Sequence, residues 1–137
     1  GTGGSFAGCG QAFKEHDPSI RCYVIEPATA AVLAGEPVSD PNHRIQGGGY
    51  SMATLELLDR SLIDGYLKVT DDEAIEAARR LARREGIFGG FSSGANLAAA
   101  MQLLAGPCRG QTVAILVCDS GLKYLITDLW PTPECLR

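Results

Sequence analysis

Three short turns rich in glycine and serine contain the residues of this sequence that are best suited to bind an anion. The first glycine turn opens the chain and consists of Gly1, Thr2, Gly3, Gly4 and Ser5. The triple-glycine turn consists of Gly47, Gly48, Gly49 and Tyr50. The serine turn spans residues 90–94 and contains Ser92 and Ser93. Backbone amides at such turns converge on a phosphate, and a following helix adds its dipole.

Each turn by itself is also explained as a tight structural turn. The first glycine turn adds the hydroxyls of Thr2 and Ser5, but it lacks the lysine of a P-loop and the full GxGxxG spacing of a dinucleotide site. A Rossmann-like nucleotide-binding module remains an alternative, because Glu26 supplies the acidic residue that this motif requires about 20 positions later.

The pattern around these turns predicts alternating helices and strands. Phe6, Cys9, Gly10 and Phe13 recur at helical spacing behind the first glycine turn, and the pattern stops at Asp17-Pro18. Strands are predicted at residues 21–26, 65–69 and 87–91, and a helical turn at residues 28–33. Residues 112–118 form an uninterrupted apolar run, which predicts a parallel strand covered on both faces.

Two further helices are predicted from their caps. Thr70 and Glu73 form a capping box, and the helix that follows ends at Gly86. Its predicted inward face is Ala74, Ala77, Ala78, Leu81 and Ala82. Its arginines, Arg79, Arg80, Arg83 and Arg84, are predicted to be solvated, with an anion patch as the alternative. The helix after the serine turn is predicted to bury Leu97, Ala98, Met101, Leu104 and Ala105.

Composition restricts the class of protein. The chain has 137 residues, of which 45% are apolar and 20% charged, so it is long enough to bury a core as one compact α/β domain. The net charge of −4 provides no basic surface for nucleic acid. No apolar run is long enough to span a bilayer. We therefore expect a soluble, cytoplasmic protein.

The cysteines indicate neither a disulfide framework nor a metal site. They are Cys9, Cys22, Cys108, Cys118 and Cys135. They form no CxxC pair and have no histidine at zinc-site spacing, so reduced thiols are expected. Cys9 lies on a predicted apolar stripe and Cys118 closes an apolar run, which favours burial of both.

Six segments, in order along the chain, resemble the fold-type II pyridoxal phosphate enzymes, and within them the cysteine synthase and cystathionine β-synthase group. The segments are GTGGS at residues 1–5, VIEP at 24–27, IQGGG at 45–49, DEAI at 72–75, GFSSGA at 90–95 and DSGLKYL at 119–125. The resemblance implies a three-layer αβα fold with a parallel sheet, tryptophan synthase β-like. Because the chain opens directly on the glycines, we expect it to be an incomplete, C-terminal portion of the catalytic domain.

The resemblance also implies roles for individual residues. Pyridoxal 5'-phosphate would be bound through Gly1, Thr2, Gly3, Gly4, Ser5, Ser92, Asp119 and Ser120, with Ser92 at the ring nitrogen. The substrate side of the pocket would be lined by Gly47, Gly48, Gly49 and Tyr50. A serine hydroxyl is too weak an acid to keep that ring nitrogen protonated, which favours loss of a β-substituent over transamination.

The implied reaction is β-replacement on an activated serine, O-acetylserine plus sulfide giving cysteine. Three positions depart from the family pattern: Gly48 replaces an isoleucine, Cys118 stands where proline is common, and Tyr50 resembles the tyrosine of cystathionine β-synthases. A cystathionine β-synthase, or another β-eliminase or dehydratase, is therefore an alternative. A third alternative is an inactive relative that only binds a partner's C-terminal peptide.

No lysine of the chain stands in the family's Schiff-base motif. Lys14, Lys68 and Lys123 are predicted to be surface residues, so the catalytic lysine is expected in a segment that precedes this one. We therefore predict that the chain by itself is inactive. The full-length enzyme is expected to be a homodimer that accepts the tail of a serine acetyltransferase.

Overall fold

The computed structural model describes residues 1–130. The helices in this range are α1 (Gly4–His16), α2 (Asp71–Glu85) and α3 (Phe91–Ala105), and the strands are β1 (Tyr23–Pro27) and β2 (Gly65–Val69). Short 3₁₀ helices lie at Arg60–Leu62 and Gly121–Tyr124. The described chain consists of two compact units. Unit 1 is Gly1–His43 with Gly47–Lys68, and unit 2 is Arg44–Gln46 with the described residues that follow Lys68.

Unit 1 is built on α1 and the two-stranded parallel sheet of β1 and β2. The segment before β2 is fixed by Asp64, whose carboxylate accepts hydrogen bonds from Lys14 Nζ at 2.7 Å and from the amide of Cys22 at 2.6 Å. Lys14 also donates to the carbonyl of Ile20 at 3.2 Å. The bond from Lys14, followed by that from the Cys22 amide, holds the pKa of Asp64 below its ordinary value.

Glu26, in β1, is a buried structural carboxylate. It is 3% exposed, and its two oxygens accept hydrogen bonds from the amides of Leu33 at 2.8 Å and Ala34 at 2.9 Å. Residues 28–29 and 32–35 form hydrogen-bonded turns where a helical turn was predicted. Because Glu26 caps this loop from inside the protein, it is not available to a ribose, and the Rossmann-like alternative loses its acidic residue.

Unit 2 is built on the packing of α2 against α3. The predicted capping box is confirmed: Thr70 Oγ1 accepts from the amide of Glu73 at 3.2 Å, and Glu73 Oε2 accepts from the amide of Thr70 at 2.8 Å. The helix ends at Gly86 in the left-handed conformation, as predicted. At the crossing, Gly94 has no room for a side chain, because a methyl there would overlap the carbonyl oxygen of Ala74.

The core of unit 2 lies where α2 and α3 meet the C-terminal 3₁₀ helix. It consists of Ile75, Ala78, Phe91, Tyr124 and Leu129, with Trp130 packed against it. The rings of Phe91 and Tyr124 meet edge to face with centroids 5.3 Å apart. Such pairs add about 0.5–1.5 kcal/mol to the area that they bury.

The predicted inward face of α3 is wrong. Met101 and Leu104 are 39% and 38% exposed, and the buried apolar residues of the helix are instead Phe91, Ala95, Ala99, Ala100 and Leu103. The helix is apolar around most of its circumference, so periodicity alone did not select a face. The buried face of α3 is determined by the close approach of α2 at Gly94.

Two smaller predictions about α1 and α2 also need correction. Cys9 is exposed rather than buried on α1, where the only buried residue is Gly10. Arg79 is not simply solvated: its guanidinium donates to the carbonyls of Leu129 at 2.9 Å and Asp128 at 2.6 Å. On α2 the buried residues are Ala74, Ile75, Ala77, Ala78 and Leu81, close to the predicted face.

The predicted strand at residues 112–118 is absent from the described part of the chain. This segment has no regular secondary structure and pairs with no strand of residues 1–130; Leu116 is 62% exposed, and Cys118 is exposed rather than buried. A strand needs a hydrogen-bonded neighbour, and the apolar run does not reveal whether one exists. The predicted strand at 87–91 is reduced to a single antiparallel bridge between Gly89 and Ser120.

The four cysteines within residues 1–130 are free thiols, and Cys135 lies outside the described residues. Among the helices of residues 1–130, none has the length and apolar content needed to cross a membrane.

Candidate functional site

The first glycine turn, in unit 1, leads directly into α1. Gly3 has a left-handed φ of 89°, and a Cβ there would lie 2.7 Å from Leu58 Cβ and 2.9 Å from its backbone nitrogen. The carbonyl of Thr2 accepts from the amide of Leu57 at 3.1 Å. Gly3 is therefore required both by its backbone conformation and by the close approach of Leu57-Leu58.

The amides at the start of α1 are suited to bind an anion. The first hydrogen bond within the helix runs from Ala7 N to the carbonyl of Gly3 at 2.9 Å, which leaves the amides of Ser5 and Phe6 without intrahelical partners. The first turn contains no acidic side chain and no side-chain cap. Thr2 Oγ1 and Ser5 Oγ lie in the same turn and are exposed. This donor set fits a phosphate group.

The triple-glycine turn, also in unit 1, is fixed at both ends. Gly47 and Gly49 have left-handed φ values of 90° and 65°. A Cβ on Gly49 would overlap the ring of Pro27 and lie 2.9 Å from His43 Nε2. By contrast, a Cβ on Gly48 would have no atom within 4 Å, and Tyr50 is 60% exposed.

His43 is a residue that sequence reasoning missed. Its Nε2 lies 2.7 Å from the carbonyl oxygen of Gly49, so this nitrogen must carry the proton and donate to the turn. Its Nδ1 is buried and has no hydrogen-bond partner among residues 1–130. The only indication in the sequence is a histidine a few residues ahead of three glycines, which is too weak a pattern to predict a contact.

In unit 2, the serine turn lies against residues 118–121. The amide of Gly90 donates to the carbonyl of Asp119 at 3.2 Å, and the amide of Gly121 donates to the carbonyl of Phe88 at 2.9 Å. The structure therefore brings together the turn that contains Ser92 with Asp119 and Ser120, which are distant in sequence. Unit 1 separately contains the first glycine turn and the triple-glycine turn.

The two serines of the serine turn have different surroundings. Ser93 is fully buried, and its Oγ accepts a hydrogen bond from the amide of Cys118 at 3.1 Å. Ser92 is partly exposed, and its hydroxyl has no hydrogen-bond partner within the described residues. α3 begins here with neither a side-chain cap nor an acidic residue in its first turn. The hydroxyl of Ser92 is therefore the one available to a ligand.

Asp119 and Ser120 have partly structural roles. Asp119 Oδ2 accepts from the hydroxyl of Tyr124 at 2.7 Å, while Oδ1 is buried and has no partner among residues 1–130. Ser120 Oγ accepts from the amide of Leu122 at 3.2 Å and so caps the 3₁₀ helix. A buried carboxylate oxygen without a donor is costly, so Asp119 is the better candidate of the two for contact with a ligand.

The three lysines of the sequence all form ion pairs. Lys14 pairs with Asp64 at 2.7 Å, Lys68 with Glu36 at 2.8 Å and Lys123 with Asp119 at 3.5 Å. The side chain of Lys14 is only 22% exposed, so it is less superficial than predicted, whereas those of Lys68 and Lys123 are 48% and 66% exposed. None of the three is positioned as an isolated, desolvated amine.

The turns at the starts of α1 and α3 present backbone amides and hydroxyls that suit a cofactor with a phosphate group. Comparison with known proteins identifies the family of cofactor-binding proteins. Residues 1–119 match the family described as pyridoxal-phosphate dependent enzymes. The chain belongs to this family, and the predicted cofactor is the one for which the family is named.

Individual relatives show which members of the family the chain is similar to. The chain is 37% identical over 131 residues to cysteine synthase 3 of Caenorhabditis elegans, covering 95% of this chain and 38% of the relative. It is 38% identical over 133 residues to a cysteine synthase of Staphylococcus aureus, covering 95% and 41%. The structure of O-acetylserine sulfhydrylase isoform 3 from Entamoeba histolytica superposes with a TM-score of 0.84 at 33% identity, covering 98% and 39%.

These comparisons confirm the predicted family and the fold-type II architecture. The chain spans about two fifths of the length of the relatives that it matches.

Proposed function

We propose that this chain forms the cofactor-binding part of an enzyme that makes cysteine from O-acetylserine and sulfide by β-replacement. The observation that carries the proposal is the serine turn, in which one hydroxyl is buried in the fold and the other, on Ser92, is available. The relatives of the chain reported above are cysteine synthases, and this supports β-replacement as the reaction class.

The proposed role of the first glycine turn is to bind the cofactor phosphate. The amides of Ser5 and Phe6 would donate to it at the positive end of the α1 dipole, and Thr2 and Ser5 would add hydroxyl donors. Gly3 matters because only a residue without a side chain permits the turn to lie on Leu58.

The proposed role of Ser92 is to hydrogen-bond the cofactor's pyridine nitrogen without protonating it. Pyridoxal phosphate, when bound, withdraws electrons from the substrate α-carbon. A serine at the ring nitrogen limits that withdrawal, because a hydroxyl does not hold a proton on a pyridine as an aspartate would. The chain's own contribution is therefore to favour loss of a β-substituent over transamination.

The triple-glycine turn is proposed to line the substrate side, with Gly47, Gly48, Gly49 and Tyr50. Tyr50 is 60% exposed and resembles the tyrosine of cystathionine β-synthases, and this resemblance supports one alternative within the same class, an enzyme whose acceptor is an amino-acid thiol. If no acceptor binds, the expected outcome is β-elimination: acetate leaves O-acetylserine, and the product hydrolyses to pyruvate and ammonia. Loss of water from serine in the same way would be dehydratase activity.

A matched pair of glycine substitutions tests the proposal in the complete gene product. Gly3→Ala places a methyl group against Leu58 and requires alanine to adopt a left-handed backbone conformation. Gly8→Ala places a methyl group in open space on α1. Cofactor binding is measured by visible absorbance during titration with pyridoxal phosphate, and cysteine formation is measured with O-acetylserine and sulfide. We expect Gly3→Ala to weaken cofactor binding by about tenfold or more, from loss of at least one charge-assisted hydrogen bond. Gly8→Ala should bind normally.

The outcomes separate the alternatives. Wild-type protein that binds the cofactor and converts O-acetylserine into acetate, pyruvate and ammonia, with no cysteine, is a β-eliminase; pyruvate from free serine would identify a dehydratase. Wild-type protein that shows no cofactor absorbance contradicts the assignment of these turns. Equal weakening in Gly3→Ala and Gly8→Ala removes the first glycine turn from the site.

We also propose that residues 1–137 alone are inactive, because Lys14, Lys68 and Lys123 are engaged in ion pairs. The test is to incubate this polypeptide with pyridoxal phosphate, reduce it with borohydride and locate any label by mass spectrometry. Little labelling and no cysteine formation are expected. Stoichiometric labelling of one of these lysines with cysteine formation would overturn the proposal.

The proposed enzyme is cytoplasmic and homodimeric, and it accepts the C-terminal peptide of a serine acetyltransferase at its active site. Size-exclusion chromatography with light scattering tests the dimer. Titration with a synthetic acetyltransferase tail peptide tests the partner, and a peptide that leaves cysteine formation unchanged at saturation would contradict it.

A further inference from the structure

The connecting segment, residues 51–59, links the two turns of unit 1 that are proposed to bind substrate and cofactor. It begins directly after the triple-glycine turn, and its far end lies on the first glycine turn. There the amide of Leu57 donates to the carbonyl of Thr2 at 3.1 Å. Leu58 lies against Gly3. No residue of the connecting segment is buried, so hydrogen bonds contribute more to its path than core packing does.

The first residue of the connecting segment, Ser51, has a left-handed backbone with a φ of 56°. It is the only residue other than glycine with a positive φ in residues 1–130. A residue with a side chain keeps this conformation only where its surroundings impose it. On its N-terminal side, the carbonyl of Gly49 accepts a hydrogen bond from His43 at 2.7 Å. A matching contact is therefore expected on its C-terminal side.

Arg60 supplies this second contact. Its Nη2 donates to the carbonyl of Ala53 at 2.8 Å. Its Nη1 donates to the carbonyl of Leu33 at 3.1 Å and to the hydroxyl of Tyr66 at 3.2 Å. The three acceptors belong to three different stretches of unit 1. A planar guanidinium with several fixed donors suits this arrangement better than the single ammonium of a lysine.

The acceptors of Arg60 other than Ala53 lie in fixed parts of unit 1. The amide of Leu33 donates to the buried carboxylate of Glu26 at 2.8 Å, and Tyr66 lies in β2. Arg60 therefore ties an exposed segment to a rigid support. Because all three acceptors are uncharged, this contact depends on the geometry of the donors rather than on ion pairing.

We propose that Arg60 is a positioning residue for the substrate side of the site. By holding Ala53, it keeps Ser51 left-handed and so fixes the triple-glycine turn relative to the first glycine turn. The inference rests on the proposed function, in which these turns bind substrate and cofactor phosphate. Arg60 acts through the backbone of the connecting segment and not by contact with the substrate. The first glycine turn keeps its own contacts with the far end of that segment, so cofactor binding depends less on Arg60 than substrate binding does.

The test compares four variants with wild type in the complete gene product. Arg60→Met removes the donors, Arg60→Lys keeps the charge without the fork, and Tyr66→Phe removes only the contact with β2. Arg83→Met is the matched control, because Arg83 is an exposed arginine of unit 2 that pairs with Glu76 at 3.0 Å.

Four quantities are measured for each protein. Steady-state kinetics with O-acetylserine and sulfide give kcat and KM, and titration with pyridoxal phosphate gives the affinity for the cofactor. Thermal unfolding reports stability. Hydrogen–deuterium exchange of the cofactor-free protein, followed by mass spectrometry, reports whether the connecting segment is held.

We expect Arg60→Met to raise KM for O-acetylserine by about tenfold or more, because a charge-assisted hydrogen bond that positions the turn is lost. It should speed exchange in the connecting segment and change kcat, cofactor affinity and the unfolding midpoint little. Arg60→Lys should resemble Arg60→Met. Tyr66→Phe and Arg83→Met should resemble wild type, since the two carbonyl contacts of Arg60 remain in both.

Three results would overturn the inference and leave the proposed function intact: unchanged exchange in Arg60→Met, an unchanged KM despite faster exchange, or full recovery in Arg60→Lys. Parallel losses of stability, kcat and cofactor affinity would also overturn it, because they indicate a purely structural role. A wild type that binds pyridoxal phosphate but forms no cysteine would instead refute the proposed function. The exchange measurement then decides by itself whether Arg60 holds the segment.

Discussion

Substitution of Gly94 by alanine tests the packing that positions the serine turn. Gly94 lies at the crossing of α3 with α2, where a methyl group would overlap the carbonyl oxygen of Ala74 and lie 2.8 Å from Ala78 Cβ and 2.9 Å from Ala78 N. The distance to Ala78 Cβ is about 0.7 Å shorter than the closest favourable carbon–carbon contact. The helices must therefore separate before the methyl group fits.

The expected magnitude follows from two opposing effects. Overpacking a well-filled core typically costs about 1–3 kcal/mol, and the upper end applies because the obstacle is backbone. Alanine recovers up to about 1 kcal/mol through its better helix propensity. We expect a net loss of about 2 kcal/mol in the free energy of unfolding.

Urea unfolding of the complete gene product, followed by far-ultraviolet circular dichroism, measures this loss. Gly8→Ala is the matched control, because its methyl group enters open space on α1 and should stabilise the helix by about 0.5–1 kcal/mol. Adding Ala78→Gly to Gly94→Ala should not restore stability, since the Ala74 carbonyl and the Ala78 amide remain. Wild-type stability in Gly94→Ala, or rescue by Ala78→Gly, would refute the packing described above.

Three further predictions concern residues of the two units. Ser93→Ala should lower the free energy of unfolding by about 1 kcal/mol, because the amide of Cys118 loses its acceptor at the buried Ser93. Ser92→Ala should preserve stability and reduce turnover. Urea unfolding and steady-state kinetics check this, and the reverse pattern would mean that the serines were assigned the wrong way round. His43→Leu should raise KM for O-acetylserine more than it lowers kcat, because the carbonyl of Gly49 loses the donor that fixes the turn. His43→Gln should recover part of the loss. Equal effects of both variants on thermal unfolding and kinetics would contradict a positioning role. Asp64 has a pKa below its ordinary value of about 3.9, so the stability that its carboxylate provides is present at neutral pH and is lost as pH falls below about 4. Between pH 7 and pH 3, the free energy of unfolding of Asp64→Asn should therefore decline less than that of the wild type. Parallel curves would show that Asp64 contributes nothing.

Much of the local structure could be predicted because short-range interactions determine it. The capping box at Thr70 and Glu73 and the left-handed Gly86 involve residues within one or two turns of each other, so sequence spacing contains the necessary information. The same holds for the start of α1 behind its glycines. The family motifs were recognised for a related reason, since each is a contiguous segment.

The errors arose where contacts distant in sequence decide the outcome. The buried face of α3 depends on α2 meeting it at Gly94, and residues 112–118 needed a strand partner that an apolar run does not specify. The assignment of Ser92 to the cofactor is not one of these errors and stays a prediction; the structure adds that the amide of Cys118, distant in sequence, donates to Ser93 Oγ. His43 was missed because its contact with Gly49 is formed only by the folded turn.

The largely exposed apolar segment at residues 112–118 has a consequence for how this chain behaves during synthesis and purification. Its sequence, TVAILVC, has high β-propensity, no charge and no proline, and Leu116 and Val117 are 62% and 41% exposed. These are the features of segments that nucleate cross-β aggregation. Wherever this segment is uncovered, concentration rather than temperature should limit the soluble lifetime of the polypeptide, and chaperones that bind extended apolar peptides should recognise it first.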